Sequence, residues 1–271
     1  VRKPVQKSPK SRVITRKRWP STILRVLSRH PSHKPLRNER IRTSVPTVLR
    51  LGSETDWRRA EIEINTVAAV QNSASKSRMK RCFIQAGVIT PKFYTRASLQ
   101  RLTNAQKEEA LPIIGKRVFG SRAQGMVKLD TLAQLNEFLA THNNGYLYEE
   151  FVNYSREYRL HVSTRGVCFY SCRKMLRNEI TERRWLRNDS NSNWIMETTT
   201  ELFNKPVTWN AIVADCVRAL NAVGLDVGAC DVKVAKDGRH SIIEINSAPS
   251  FGDITLQKYI TEVKELIKIK S

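Results

Sequence analysis

The chain has 271 residues, 40% of them hydrophobic, which is enough to bury the core of one large domain or two small ones and excludes an intrinsically disordered protein. No run approaches the ~20 consecutive apolar residues of a membrane-spanning helix, which excludes that class. The formal net charge is +22, and residues 1–50 hold fifteen Lys and Arg against the single acid Glu39, so the chain is suited to a phosphate-bearing or otherwise acidic partner.

Residues 1–45 read as a basic arm or loosely packed lead-in, because Pro4, Pro20, Pro31 and Pro35 interrupt any long helix. Within it only Ser21–Leu27 has the apolar density for a helical turn or two. An Arg-rich, Ser-containing, acid-poor start also fits an organelle transit peptide, while the lack of an apolar stretch there argues against a secretory signal. Strands are expected at Val45–Leu51 and Ile62–Asn65, then a helix from Thr66 to Ala86 that stops at Gly87, with Pro91 beyond. The apolar run Leu111–Gly115 leads into Lys116, a loop holding Gly120, Ser121 and Gly125, and a strand at Met126–Leu129. Glycines in such a loop let backbone N–H groups approach phosphate oxygens closely. Thr131–Ala140 has helical periodicity behind a threonine cap, and Tyr146–Val152 is strand-like.

Alternation along Arg156–Val162 puts Glu157, Arg159 and His161 on one face, with His161 read as a packing residue. Val167–Met175 is a further strand, carrying Arg173 and Lys174 and placing Cys168 and Cys172 on a shared face. Residues 177–200, with Trp185 and Trp194, read as a long polar loop of the kind that forms lids or substrate-binding elements. Trp209–Val223 is an amphipathic helix ending at Gly224, and Ile254–Ile269 a basic-ended one. Between them two β-branched runs flank Asp237-Gly238, the signature of a tight hairpin. The five cysteines are odd in number and include no CxxC pair, which points to reduced thiols and a cytoplasmic setting, or an organelle matrix if the start is a transit peptide.

The hairpin carries the most specific chemistry. Alternation puts Asp231 and Lys233 on one face of its first strand, and Glu244 and Asn246 on one face of its second. Asp231, Glu244 and Asn246 form an oxygen-only, partly anionic donor set, better suited to magnesium than to zinc. The plainer reading is a solvated face of an amphipathic hairpin.

Gly-Ala-Cys-Asp-Val (228–232) and Ile-Glu-Ile-Asn-Ser-Ala-Pro (243–249) resemble the metal-binding end of the ATP-grasp carboxylate:amine ligases, which include D-alanine:D-alanine ligase and the ligases that add glutamates to a ribosomal protein. Upstream segments resemble the same family in the same order. The resemblance implies an α+β fold of two subdomains, with the nucleotide held between two antiparallel sheets. It implies a small lid subdomain at 76–148 and a metal-binding subdomain at 149–271, preceded by the arm (1–45) and a truncated leading segment (46–75). It assigns Lys76, Lys116, Gly120, Ser121 and Gly125 to the phosphates. Glu149, with the backbone of Glu150, Phe151 and Val152, is assigned to adenine, and Glu157 to ribose. Arg159 is assigned to a carboxylate or acyl phosphate, and Lys174 or Arg173 to the γ-phosphate. Asp231, Glu244 and Asn246 would hold magnesium, with two ions expected. The implied function is ATP-dependent joining of a small carboxylic acid or amino acid to an amine through an acyl phosphate, releasing ADP and phosphate. The contrasting reading is a non-catalytic nucleic-acid-binding protein that keeps the fold and uses residues 1–45 against a nucleic acid or nucleoprotein. The departures are Ala123, where the loop of these ligases often has another glycine, and the short region before residue 65.

Overall fold

A computed structural model describes residues 22–120, 123–142, 145–178, 185–188 and 190–271. Its leading part contains β1 (Thr22–Ile23), β2 (Arg25–Leu27), a 3-10 turn at Pro31–His33, α1 (Lys34–Asn38), β3 (Arg42–Thr43), β4 (Thr47–Arg50) and β5 (Ile62–Ile64). β2, β4 and β5 form a parallel three-stranded sheet. Two expectations change here. Ser21–Leu27 is extended rather than helical within its described residues, and residues 22–45 are packed rather than loose. Leu24, Leu36 and Ile41 are buried against Tyr259, Val263 and Leu266 of the last helix. Residues 1–21 lie outside the described residues.

The expected helix at 66–86 is two helices, α2 (Val67–Ala74) and α3 (Lys76–Gln85). Thr66 caps α2 by accepting a hydrogen bond from Ala69 N at 3.2 Å. Ser75 then turns extended (φ −93°, ψ 108°), within a Ser-rich stretch whose side chains compete for backbone partners. The break tilts α3 onto the core through Met79, Lys80 and Phe83.

A small antiparallel sheet follows in the order β6 (Phe93–Tyr94), β9 (Tyr146–Glu150), β7 (Ile113–Arg117), β8 (Val127–Leu129). The short helices α4 (Arg96–Gln100) and α5 (Asn104–Glu109), and α6 (Leu132–Thr141), cover it around Leu99, Leu135 and Tyr148. Thr131 caps α6 as its sequence predicts, through a reciprocal bond with Gln134.

The large sheet runs β12 (Ser192–Met196), β11 (Cys168–Leu176), β10 (Arg156–Ser163), β13 (Val227–Val234), β14 (His240–Asn246), all antiparallel. Tyr158, Leu160, Val232 and Ile245 pack one face against α8 (Trp209–Val223), while Glu157, Arg159, Asp231 and Lys233 point from the other. α7 (Thr200–Phe203) and α9 (Asp253–Lys270) complete the chain. The stretch predicted as a loop at 177–200 thus contains β12, an edge strand that delivers Trp194 opposite Lys174. A bulge beside His161/Val162 pairs Cys168 with Val162 and Cys172 with Arg159, so these cysteines face opposite sides rather than one. All five cysteines are free. Among the described residues no helix is long and apolar enough to cross a membrane.

Candidate functional site

Between the two sheets lies a cleft of about 640 Å³. It brings together nine residues that the sequence placed in a site: Lys76, Lys116, Gly120, Glu157, Arg159, Lys174, Asp231, Glu244 and Asn246. They come from strand ends and loops separated by up to 170 positions in the chain, which only the facing of the two sheets could assemble.

The floor is a charge ladder set by strand register. Glu157 lies opposite Lys174 on one side and Lys233 on the other. Arg159 lies opposite Asp231, which in turn faces Glu244. A bulge beside Asp231/Val232 adds one residue to β14, so Ile242 enters the core while Glu244, only two residues on, meets the cleft. Arg159 grips Asp231 with two parallel bonds, Nε to Oδ1 at 2.7 Å and Nη2 to Oδ2 at 2.8 Å. Burial disfavours both charges, yet the pairing outweighs it, holding Arg159 above and Asp231 below their ordinary values. Asn246 Nδ2 donates to Glu244 Oε1 at 3.3 Å, so these two side chains stand together.

Among the described residues no three His, Cys, Asp or Glu side chains cluster as a metal site. The set is therefore two carboxylates and one amide oxygen. That chemistry fits magnesium, which takes hard oxygen ligands and keeps several of its waters. Asp231 gives one lone pair of each oxygen to Arg159 and retains the other.

The roof is the β7–β8 loop. Lys76 Nζ donates to Gly120 O at 2.8 Å and ties the start of α3 to that loop. A Cβ on Gly125 would sit 2.8 Å from Nε of the exposed Arg117 side chain, which can swing aside, and it is the φ of +70° that favours glycine there. Ala123 also adopts a left-handed backbone, φ 59°, the conformation that explains why glycine suits this position. Ser121 lies outside the described residues.

Four assignments change. Glu149 does not line the cleft: it is buried behind it, with Oε2 at 2.6 Å from Lys116 Nζ and Oε1 at 3.4 Å from Lys80 Nζ. It is the counter-ion of two lysines. Burial raises its carboxyl, but the two ammonium groups together hold it below the ordinary range. Glu150 faces away, accepting from Tyr94 Oη at 2.8 Å. The N–H groups of Glu150 and Phe151 are committed to Lys92 O and Pro112 O, which leaves Val152 as the donor of that segment. Arg173 turns to the opposite side of the sheet, where Nη1 donates to Leu202 O, so Lys174 is the cation on the cleft face. His161 is buried packing as read, bonded to Tyr259 Oη at 3.0 Å and pushed down to about 3 by burial and by Arg159.

Sequence reasoning assigned no site role to Lys80 or Arg187, and placed Lys233 beside Asp231 without assigning it one. Lys80 is fully buried, bonded to Thr90, and lowered by burial to about 8 against the pull of Glu149. A helical lysine flanked by Met79 and Phe83 on the buried stripe was the available signal. Arg187 lines the cleft and donates to Lys174 O at 2.9 Å. The leading segment also supplies a wall. His30 lines the cleft, and its turn is clasped to the stretch after β14 by His33 Nε2 donating to Pro249 O at 2.7 Å and Phe251 N donating to Ser32 Oγ at 2.9 Å.

No family profile and no curated protein sequence matches the chain. Solved structures do. D-alanine–D-alanine ligase from Bacillus anthracis complexed with ATP aligns over 90% of this chain and 85% of its own, at TM-score 0.58 and 13% identity. The ATP-grasp ligase PsnB complexed with a minimal precursor gives TM-score 0.56 at 17% identity over 83% and 79% of the two chains. Carboxyaminoimidazole ribonucleotide synthase from Aspergillus clavatus complexed with ATP gives 0.52 at 14% over 76% and 54%. The chain has the ATP-grasp fold. In ATP-grasp terms, the small sheet with its glycine loop is the roof and the five-stranded sheet the floor.

Proposed function

We propose that the protein is an ATP-dependent ligase that joins a carboxylic acid to an amine. The observation that carries this reading is the convergence of Lys116, Glu157, Arg159, Lys174, Asp231, Glu244 and Asn246 on one cleft between two sheets. A binding protein has no use for carboxylates aimed at a phosphate site; a phosphoryl-transfer enzyme needs them as metal ligands. Lys116, fixed by buried Glu149, presents a point charge to the α- or β-phosphate, and Lys76 and the loop close over the chain of phosphates. Glu157 is the ribose carboxylate. Lys174 faces the γ-phosphoryl group and Arg159 the substrate carboxylate, which attacks it to give an acyl phosphate and ADP. An amine then displaces phosphate to leave an amide. Magnesium on Asp231, Glu244 and Asn246 would screen the phosphoryl charges. The chain's own residues act by position and charge rather than by covalent bonding.

The test is ADP release with magnesium, ATP and a pool of amino acids and simple amines. Glu244→Gln should lower turnover by about 100-fold or more while leaving the urea midpoint unchanged. A fully active Glu244→Gln protein would remove the metal role.

The placement of positive charge supports a further partner for residues 1–45, a nucleic acid or nucleoprotein that carries the acceptor amine. Lys34, Arg37, Arg40 and Arg42 are exposed. Retention on single-stranded RNA should weaken with salt, and a chain beginning at Thr22 should show a flatter salt slope with unchanged nucleotide affinity. Equal slopes for the two chains would assign no binding to residues 1–21 and leave Lys34, Arg37, Arg40 and Arg42 as the contact, to be tested by substitution.

A further inference from the structure

The cleft has two chemically different ends. At one, His30 and the Ser247–Ser250 stretch offer small polar groups. At the other, Trp185, Leu186, Arg187 and Lys233 line the wall around Tyr154. Tyr154 Oη donates to Trp185 O at 3.0 Å, and the Arg187 guanidinium stands 4.9 Å from the centroid of its ring. The ammonium of Lys233 is closer still, 4.1 Å from that centroid and 6.0 Å from that of Phe151. Phe151 and Tyr154 belong to the crossing from β9 to β10, so this end lies where the two sheets join.

Lys233 differs from the three ion-paired cations of the cleft, Lys116, Arg159 and Lys174. It sits on the same face of β13 as Asp231, in register with Glu157. Glu157 nevertheless ion-pairs with Lys174, at 3.9 Å, and among the described residues no carboxylate ion-pairs with Lys233. Lys116 has Glu149 and Arg159 has Asp231. The short contacts of Lys233 are aromatic instead. An ammonium withdrawn from water against aromatic rings is completed by another electron-rich flat surface, or by an acceptor on its edge. The same wall supplies the apolar surface, Trp185 and Leu186, that a planar heterocycle needs.

We propose that Lys233 is the residue that holds the nucleobase, its ammonium set against the ring or its acceptor edge at the Tyr154 end, while Lys116 and the glycine loop take the phosphates. The inference rests on the nucleotide reading above. It makes the base pocket partly cationic, and it places base recognition on β13, two residues from the first metal ligand.

The test is calorimetric titration of the wild-type protein, Lys233→Met and Lys233→Arg with three probes: AMPPNP with magnesium, adenosine, and inorganic tripolyphosphate. Lys233→Met keeps an unbranched side chain one atom shorter and removes the charge. It is expected to weaken AMPPNP and adenosine alike, by about 2- to 30-fold, and to leave tripolyphosphate unchanged. Lys233→Arg retains the cation and should restore most of the loss. Weakening of AMPPNP and tripolyphosphate with adenosine unaffected would place Lys233 on the phosphates and overturn the proposal. So would equal affinities in wild type and Lys233→Met. If wild-type protein binds none of the probes, the nucleotide reading itself fails, an outcome distinct from wild-type binding that ignores Lys233.

Discussion

Glu149→Gln tests the reassignment of Glu149 from base reader to buried counter-ion. At 3.4 Å and an effective dielectric of about 20, its attraction for Lys80 amounts to about 5 kcal/mol before desolvation is subtracted. Breaking a buried pair from one side typically costs about 3–5 kcal/mol. Lys80 limits its own share. With Glu149 present its folded value is about 8, so shedding the proton at pH 7 costs only about 1.4 kcal/mol. Lys116 borders the cleft and recovers some solvent. The expected destabilisation at pH 7 is therefore about 2–4 kcal/mol. The wild-type value of Lys80 lies below the 10.5 of the unfolded chain, so its contribution to wild-type stability is flat below pH 8 and rises above it. In the variant Lys80 falls further, and its rise begins at lower pH. The gap between the two proteins should thus narrow as pH climbs toward 8 and stay constant above it. Urea unfolding at pH 6.5 and pH 9 measures this. Glu149→Gln with wild-type stability at both pH values and an altered preference among nucleotide bases would refute the argument and return Glu149 to the base.

Other outcomes follow from single positions. Ala123→Gly relieves a left-handed alanine worth about 1–2 kcal/mol but adds freedom to the unfolded chain, so thermal melting should show a net gain of no more than about 1 kcal/mol. Gly125→Ala should instead lose about 1–2 kcal/mol, since alanine takes on a positive φ there; equal melting of the two variants would deny the loop geometry. His33 and His161 are buried and neutral, with burial lowering them to about 4 and about 3 from 6.5. Between those values and 6.5 the unfolded chain binds the protons, so stability is complete above pH 6.5 and falls on acidification. The slope is about 1.4 kcal/mol per pH unit for each histidine, read from urea midpoints between pH 7 and 5, and removing one by substitution should reduce it.

The parts of the site that were legible from sequence are those set by alternation within one strand or by a strong turn. Asp237-Gly238 fixed the hairpin, and period two placed Asp231 with Lys233 and Glu157 with Arg159. Alternation does not reveal a bulge, which is why Cys168 and Cys172 were put on one face. It also leaves open which groups lie behind a cleft, so Glu149 looked like a ligand contact until Lys80 and Lys116 were seen on either side of its carboxylate. The packing of residues 22–45 was hidden for a different reason. Leu24, Leu36 and Ile41 follow no helical or strand period, and their burial depends on α9, more than 200 positions away. The edge strand β12 lies in a Ser- and Asn-rich stretch whose composition reads as loop, and it is held by pairing with β11.

The clasp between His33 and Pro249 has a practical bearing on how this protein is handled. The histidine turn is the latch for the segment that follows Asn246, so shortening the chain past Ser28 to reduce its positive charge would also release one wall of the cleft. Such a protein would lose activity for a mechanical reason, which is easily mistaken for loss of an anionic partner. Charge should be removed from Lys34, Arg40 and Arg42 by substitution instead, sparing Arg37, which donates to Ser28 O at 2.6 Å and braces the latch.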